Sequence, residues 1–352
     1  MARECGVSPN GWIILDKPHG LGSTQAVAAV KRNLREAGYG KVKVGHGGTL
    51  DPLATGVLPI ALGEATKLCG RMLDSDKTYE FTIRFGEETD TLDAEGEVVE
   101  RSSHFPPLAA IAAVLGHFTG DIEQVPPAFS ALKLDGKRAY DRARAGEDVQ
   151  LEPRKVTIHH LSLARHAELG SASISPRAMS DQEEEWTLKQ VQGDGLYSSF
   201  AETSGRPDPF DPAAPLELAE SVTLVAQVSK GTYIRSLARD IARALGTVGH
   251  VTMLRRTKAG PFTLDSAISL DKLNEIGKGA RLEDVILPLE AGLDDIPALS
   301  LDPEAAEAVR QGRVLTGLPQ GDGLYWAKAG EIPVALVELT AGTAKIVRGF
   351  NL

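Results

Sequence analysis

The chain has 352 residues, about twice the size of one typical domain, so a large domain and a smaller second one are expected. Its hydrophobic fraction of 42% and charged fraction of 24% are those of globular proteins and exclude a fibrous or wholly disordered chain. The formal net charge of −10 disfavours a nucleic-acid partner unless positive charge is concentrated in part of the sequence.

Cysteine usage and the N-terminal sequence predict a soluble protein of the reducing cytoplasm. Cys5 and Cys69 form neither a metal-binding spacing nor a disulfide framework. Residues 1–10 lack the apolar core of a signal peptide, and the most apolar stretch, 108–115, is too short to span a bilayer.

The N-terminal part of the sequence predicts a strand at 11–14 and a helix at 23–37 whose cap is Ser23 or Thr24. The segment 41–70 that follows is rich in glycine and proline, yet it is also apolar. This combination predicts a tightly turned loop that packs against a core rather than a flexible tether.

The middle of the chain predicts a strand at 78–85, where apolar and polar residues alternate, and an amphipathic helix at 106–117. Two further strands are expected at 156–163 and 222–228, and a helix at 233–245. Because strands and helices do not alternate regularly, the pattern favours an α+β fold over a doubly wound one.

Composition also suggests how the chain is divided. Residues 166–217 show no periodicity, and small, polar and acidic residues dominate, so we predict a largely disordered surface insert. A new unit begins at 287, after which one helix and three strands are expected. They lie at 303–311, 323–328, 333–338 and 344–349. We therefore predict a larger domain over 1–286 and a compact β-rich domain over 287–352.

Positive charge is concentrated in two stretches, although the net charge is negative. Residues 230–258 contain seven basic residues and one acidic residue, and residues 133–144 contain five basic residues. Each stretch could be a solvated helix face or a surface that binds phosphates.

One loop stands out as a candidate site, because the chain lacks the common motifs of zinc hydrolases, nucleotide-triphosphate enzymes and serine hydrolases. The loop spans 45–59 and contains a single carboxylate, Asp51. Pro52 keeps Asp51 out of the helical region, and apolar neighbours indicate that the loop is packed. From the residues alone, Asp51 could be a turn residue or a catalytic acid.

The loop, Gly-His-Gly-Gly-Thr-Leu-Asp-Pro-Leu-Ala-Thr-Gly-Val-Leu-Pro, resembles the catalytic motif of the TruB family of tRNA pseudouridine-55 synthases. Other segments resemble the remaining family motifs in the same order. They are the opening motif at 15–20, the tyrosine motif at 77–81, the RNA-contacting segment at 124–133, the arginine motif at 229–240, the leucine motif at 254–257 and the C-terminus at 348–352. The resemblance covers 11–165 and 218–352. It departs at Val228, where many relatives have Cys, and at the insert.

The resemblance implies a pseudouridine-synthase fold, in which helices flank a central mixed, mainly antiparallel sheet, followed by a PUA-like RNA-binding domain at 287–352. It implies that uridine 55 in the TΨC arm of tRNA is flipped into a pocket and isomerised to pseudouridine. The N1–C1′ bond is broken and the base is rejoined through C5. Because this exchange consumes no external atom, we expect neither a cofactor nor a metal. We also expect a monomer that acts on tRNA without an obligate protein partner or a membrane.

The same resemblance assigns roles to catalytic residues. Asp51 would act on the sugar or the base, as nucleophile or as base. Arg235 would be the ion-pair partner that keeps this carboxylate charged, although it could also be an ordinary surface arginine. Tyr79 would stack on the base and help to remove the C5 proton, or it is simply a core tyrosine.

Substrate-binding roles are implied in the same way. His46 would fill the space that the extruded nucleotide leaves, and Tyr233 and Leu254 would line the pocket. Lys17 and Lys67 would hold phosphates. Without the resemblance, His46 is more readily explained as a structural loop residue, and Tyr233 and Leu254 as core residues.

The segment 124–150 is predicted to be a flexible clamp on the RNA loop. Its contact residues would be Gln124, Lys133, Lys137 and Arg138, with the remaining basic residues of 133–144 and 230–258 also holding phosphates.

Two other functions are compatible with the sequence. A guide-RNA-dependent synthase of the dyskerin type shares the aspartate loop, but the segment 124–146 matches the clamp of the stand-alone enzymes. A non-catalytic protein that binds or folds tRNA would use the basic stretches and leave Asp51 as a turn residue.

Overall fold

The structure is a computed structural model that describes residues 9–130, 132–134, 136–164, 174–177, 218–279 and 282–352. In chain order the strands are β1 Gly11–Lys17, β2 Val44–His46, β3 Thr55–Leu62, β4 Lys77–Phe85, β5 Glu87–Thr89, β6 Val98–Arg101, β7 Gly120–Gln124, β8 Lys133–Leu134, β9 Lys137–Arg138, β10 Arg154–Leu163, β11 Ile174–Arg177, β12 Leu218–Val228, β13 Gly249–Ala259, β14 Phe262–Thr263, β15 Ile268–Ser269, β16 Leu287–Pro288, β17 Ala298–Ser300, β18 Leu315–Thr316, β19 Gly323–Ala329, β20 Ile332–Thr340 and β21 Thr343–Gly349.

The α-helices are α1 Ser23–Glu36, α2 Cys69–Asp74, α3 Leu108–Val114, α4 Ala139–Arg144, α5 Ile234–Ala244, α6 Leu270–Gly279 and α7 Pro303–Arg310. Short 3₁₀ helices lie at Gly63–Leu68, Leu115–Phe118, Leu264–Ser266, Leu282–Val285 and Leu289–Leu293. Among the described residues, no helix is long and apolar enough to cross a membrane.

The chain forms two compact units. The first unit contains Met1–Lys77 and Arg255–Leu352, and the second contains Thr78–Leu254. Strand β13 therefore contributes its beginning to the second unit and its end to the first. The domain boundary predicted at 286/287 stays a prediction.

In the first unit, β3 is the strand that carries the chain away from Asp51. It pairs antiparallel with β1 along its whole length and antiparallel with β2 at its end. Its first residues pair in parallel with the end of β13, where Arg255 lies opposite Thr55 and Arg256 lies opposite Gly56. Strand β1 also pairs in parallel with β15. Strands β1 and β3 are almost completely buried, which gives the loop between β2 and β3 a rigid base.

The C-terminal part of the first unit has its own five-stranded sheet, in the order β17-β19-β20-β21-β18. Helix α7 begins after Asp302, whose Oδ1 accepts a hydrogen bond from the amide of Ala305 at 2.7 Å, and Pro303 follows this cap. Leu299, Val309 and neighbouring apolar side chains form a separate core cluster here. The predicted β-rich module is confirmed.

The second unit is built on the order β13-β4-β12-β10-β7. Strand β10 pairs antiparallel with both β12 and β7, and β11 pairs antiparallel with β12. Phe81, Ile83 and Phe85 of β4 are buried, as the alternating pattern predicts. Strands pair both in parallel and antiparallel in the first unit, and β10 pairs antiparallel with its neighbours in the second. The predicted α+β fold with a mixed, mainly antiparallel sheet is therefore confirmed.

Two local predictions are wrong. The cap of α1 is Gly22, whose amide donates to Gln25 Oε1 at 2.8 Å, rather than Ser23 or Thr24. The Ser23 hydroxyl instead donates to the Leu50 carbonyl at 3.0 Å and accepts from the Leu50 amide at 2.8 Å. A side chain that is committed to a distant segment cannot also cap its own helix.

The second correction concerns the segment 41–70, which is not a continuous loop. It contains β2, β3 and a 3₁₀ helix. Most of the predicted insert at 166–217 lies outside the described residues. Within it, the structure shows one short strand, Ile174–Arg177.

Candidate active site

Asp51 lies in the loop between β2 and β3 and is half-buried. Its neighbours Leu50, Leu53 and Ala54 are buried, and its carbonyl accepts a hydrogen bond from the Ala54 amide at 3.1 Å. The loop is therefore a packed turn, as the apolar residues around Asp51 predict. The bonds from Ser23 fix the backbone immediately before Asp51.

Lys17 fixes the backbone immediately after Asp51. Its side chain is fully buried, and Nζ donates to the carbonyls of Pro18 at 2.9 Å, Leu21 at 2.6 Å and Pro52 at 3.3 Å. The Gly20 amide donates to the same Pro52 carbonyl at 2.9 Å. The phosphate contact predicted for Lys17 is wrong, because an ammonium group buried in this way cannot meet a phosphate at the surface.

Arg256 is buried beneath the same loop. Its Nε donates to the Val57 carbonyl at 2.7 Å, Nη1 to the Thr49 carbonyl at 3.4 Å and Nη2 to the Gly48 carbonyl at 3.2 Å. Like Lys17, this basic residue holds backbone rather than phosphate. The phosphate-binding role predicted for the whole stretch 230–258 is therefore wrong at Arg256.

His46 ends β2 and is half-buried. Burial, and to a smaller extent the positive charge of Arg256, lower the pKa of His46 below its ordinary value. The imidazole is therefore neutral at pH 7. Its Nδ1 accepts a hydrogen bond from the Gly48 amide at 3.4 Å, which places the ring proton on Nε2.

Arg235, in the first turn of α5, is the buried cation of the second unit. Its Nη1 lies 3.2 Å from Asp93 Oδ2 and donates to the Thr91 carbonyl at 2.8 Å, while Nη2 donates to the Phe129 carbonyl at 3.0 Å. Asp93 is buried too, and its Oδ1 accepts from Thr91 Oγ1 at 2.6 Å and from the Glu95 amide at 3.0 Å. These contacts show that Arg235 is not an ordinary surface arginine, which was the alternative compatible with the sequence.

Sequence reasoning missed Asp93. It follows Leu92, which has a φ of 63° in a tight turn, and an aspartate in a turn is normally solvated. Only the three-dimensional contact with Arg235, 142 positions further along the chain, connects it with the candidate site.

Tyr233 joins the start of α5 to the end of β7. Its amide donates to Gln124 Oε1 at 2.8 Å, and Ser236 Oγ donates to the Val125 carbonyl at 2.9 Å. Gln124 is only 1% exposed, so its predicted contact with RNA is wrong: the side chain anchors the clamp segment to Tyr233 from inside the protein. The Phe129 carbonyl ties the same segment to Arg235.

The other predicted pocket residues lie on two neighbouring strands. Tyr79 is half-buried on β4, and Leu254 is buried on β13, the next strand in the sheet. Their assignment to the base pocket stays a prediction.

The predicted phosphate contacts have mixed surroundings. Lys133 and Lys137 are exposed on the hairpin formed by β8 and β9, in which Lys133 pairs with Arg138. Lys67 lies 2.7 Å from Glu64 Oε2 and donates to the Gly349 carbonyl at 2.9 Å. It ties two segments of the first unit together, and its contact with RNA stays a prediction.

The remaining arginines of 230–258 have acidic partners. Arg239 pairs with Asp240 at 2.8 Å, Arg243 with Glu88 at 2.8 Å and Arg255 with Asp16 at 2.9 Å. Much of the positive charge concentrated in this stretch is therefore paired with carboxylates of the same chain.

Two family models match the chain. The model of the TruB family pseudouridylate synthase N-terminal domain matches residues 34–176, and the model of the tRNA pseudouridylate synthase B C-terminal domain matches residues 235–294. A Novosphingobium aromaticivorans protein named tRNA pseudouridine synthase B is 62% identical over 343 residues, which cover 97% of this chain and 98% of that protein. The protein of the same name from Zymomonas mobilis is 50% identical over 342 residues, which cover 97% of this chain and 96% of that protein.

Solved structures share the fold. The archaeal box H/ACA sRNP Nop10–Cbf5 complex gives a TM-score of 0.61 at 22% identity, covering 97% of this chain and 86% of the matched chain. A Cbf5–Nop10–Gar1 complex also gives a TM-score of 0.61, at 24% identity, and the match covers 99% of this chain and 89% of the matched chain. At this level of identity the likeness concerns the fold alone. The extent of the sequence matches shows that the chain belongs to the TruB family of pseudouridine synthases.

Proposed function

We propose that this protein isomerises uridine 55 in the TΨC arm of tRNA to pseudouridine, by breaking the N1–C1′ bond and rejoining uracil through C5. The observation that carries the proposal is the fixed position of Asp51. Hydrogen bonds from Ser23 and Lys17 hold the backbone on either side of this half-buried carboxylate. An aspartate that served only as a surface turn would not need such support.

Asp51 acts on the sugar or the base, and Arg235 is its proposed ion-pair partner. The support for Arg235 is its rigid setting, because Asp93 and two backbone carbonyls fix the guanidinium. A fixed cation can hold a carboxylate in its charged, reactive form throughout the reaction.

The uracil has to leave the RNA stack, at a cost of a few kcal/mol, before it can reach Asp51. We assign Tyr79 to stacking and to the C5 proton, and Tyr233 and Leu254 to the walls around the base. His46 takes the space that the nucleotide leaves. A neutral imidazole suits this role, because it can lie between bases without a charge having to be desolvated.

Recognition of tRNA is assigned to two surfaces. The clamp, 124–150, presents Lys133 and Lys137 to solvent on a hairpin that is anchored at its base to Tyr233 and Arg235. The compact C-terminal domain, 287–352, provides the second, PUA-like surface. We propose a monomeric, stand-alone enzyme of the cytoplasm. That it acts on tRNA is supported by the name tRNA pseudouridine synthase B, which is given to relatives that match nearly the whole chain.

The variant Asp51→Asn tests the proposal, because it keeps the size of the side chain and removes its charge. We expect tRNA binding within about threefold of wild type, and single-turnover formation of pseudouridine reduced by at least about 10³-fold. The measurement uses excess protein and an unmodified tRNA transcript, with filter binding for affinity. Exposed Asp284→Asn is the matched control and should behave as wild type.

The same assay separates the alternatives. A guide-dependent enzyme would need guide RNA and partner proteins before it modified the transcript. A non-catalytic tRNA-binding protein would give no pseudouridine with either the wild-type protein or the variant.

A further inference from the structure

Arg256 connects the two ends of the loop that carries Asp51. Its Nη2 and Nη1 donate to the carbonyls of Gly48 and Thr49 before Asp51, and its Nε donates to the carbonyl of Val57 after it. The guanidinium therefore closes the segment 48–57 from inside the protein, where Arg256 is only 1% exposed.

The backbone of Arg256 holds the exit of the same loop. Arg256 pairs with Gly56 where β13 and β3 run parallel, and Gly56 has a φ of 99°. A Cβ atom on Gly56 would lie 2.2 Å from the carbonyl oxygen of Arg256, which is too close for any side chain. One residue thus contacts the loop exit with its main chain and the loop entrance with its side chain.

This geometry needs an arginine. The three acceptors bond to three different nitrogens of one planar group, and a guanidinium presents its donors in a rigid fork. A lysine brings all its donors to one nitrogen, so it can bond only to carbonyls around that one point and cannot reproduce the separate positions of Nε, Nη1 and Nη2. A methionine fills similar volume but offers no donor and would leave the carbonyls without this partner.

We propose that Arg256 is a positioning residue for the reaction at Asp51, acting as a brace that holds the loop 48–57 in its reactive geometry. The proposal rests on the proposed function, in which Asp51 is the reacting carboxylate. Arg256 lies beneath the loop and acts through the backbone. It is therefore required for the chemical step and not for the binding of tRNA.

The brace also affects the neighbouring His46. Burial and the charge of Arg256 both keep this imidazole neutral. Burial is the larger of these two causes, so the imidazole stays neutral without the guanidinium, and the consequence of losing Arg256 lies in the loop that carries Asp51.

The test compares Arg256→Met and Arg256→Lys with Leu273→Ala. Leu273 is fully buried in α6 of the same unit and, being apolar, donates no hydrogen bond to the loop 48–57, so its truncation shows what lost packing alone does to the rate. Three quantities are measured for each protein well below its melting temperature. They are the single-turnover rate on an unmodified tRNA transcript, the Kd for that transcript by filter binding, and deuterium exchange of the amides of 47–58.

We expect both Arg256 variants to lose about 10²-fold or more in single-turnover rate, as misplacement by about 1 Å can cause, while Kd changes by less than about threefold. Amides of 47–58 should exchange faster in both variants but not in Leu273→Ala, which should keep its rate even if its melting temperature falls.

Either of two results would overturn the proposal: rates for both Arg256 variants equal to that of Leu273→Ala, or a loss that lies in Kd instead of rate. If Arg256→Met does not fold, Arg256→Lys decides, because it keeps the charge and loses the fork. If wild-type protein forms no pseudouridine, the proposed function fails instead, and the exchange of 47–58 still tests the brace.

Discussion

Buried charges that bond to backbone or to one another hold two catalytic candidates, Asp51 and Arg235, in place. Lys17 and Arg256 fix the backbone around Asp51, and Asp93 fixes the guanidinium of Arg235. A buried ion costs much desolvation energy unless it is paired or hydrogen-bonded, so these charges need their partners. Preorganised polar groups of this kind are what a reaction with charge development requires.

The buried ion pair between Arg235 and Asp93 should contribute to the stability of the fold. Asp93→Ala leaves the guanidinium buried without this carboxylate, so we expect the free energy of unfolding to fall by about 3–5 kcal/mol. Chemical denaturation measures it. The matched control is Arg101→Gln in the exposed pair with Glu87, 3.2 Å apart, which should change stability by less than about 1 kcal/mol. Equal effects of the two changes would contradict the buried pair.

The free energy of unfolding should depend on pH through His46, because the lowered pKa means that the folded state disfavours its charged form. The stabilisation is complete above the pKa of an unfolded histidine, about 6.5, and is lost as pH falls through the lower folded pKa. Between pH 7.5 and pH 5, wild type should therefore lose more unfolding free energy than His46→Gln.

His104 is the control for this titration, because burial lowers its pKa as well. The double variant, His46→Gln with His104→Gln, should lose less over the same pH interval than either single variant. An unchanged loss in His46→Gln would show that its imidazole titrates normally.

At the level of elements, the sequence predicts most helices and strands because their apolar periodicity is simple. The strand β4 and the helix α5 lie where alternation and helical spacing place them. Strand β3 does not follow such a rule. It contains Pro59, which cannot donate a ladder hydrogen bond, so the pattern indicates a loop. Tertiary contacts make it a strand all the same, because β1 and β2 pair with it on either side.

The candidate site shows the same limit. Asp51 could be identified because its loop motif is continuous in sequence. The environment of Arg235 could not, because Asp93 and the Phe129 carbonyl come from distant turns. Equally, a run of basic residues does not reveal which of them are buried, so the phosphate-binding role predicted for 230–258 is wrong at Arg256.

For the molecule as a whole, the C-terminus is part of the first unit's core. Phe350 is 3% exposed and belongs to the same apolar cluster as Trp12 and Leu336. The Asn351 amide donates to Glu64 Oε2 at 2.7 Å, which fixes the last residues. The family's C-terminal motif is therefore explained here by packing.

This packing predicts that Phe350→Ala lowers the free energy of unfolding by about 3–5 kcal/mol, through lost burial and the cavity left behind. Val347→Ala, at a position that is 53% exposed on the adjacent strand, should change it by less than about 0.5 kcal/mol. Denaturant unfolding of the two variants gives both values. Similar values for the two would mean that the C-terminus is not part of the core.

The proposed function is the isomerisation of one uridine of tRNA by the protein alone, without added components. Its most direct measurement is to incubate the purified protein with an unmodified tRNA transcript in the presence of a metal chelator and then to map pseudouridine along the RNA. We expect one pseudouridine, at position 55. No pseudouridine, or pseudouridine only at other positions, would contradict it.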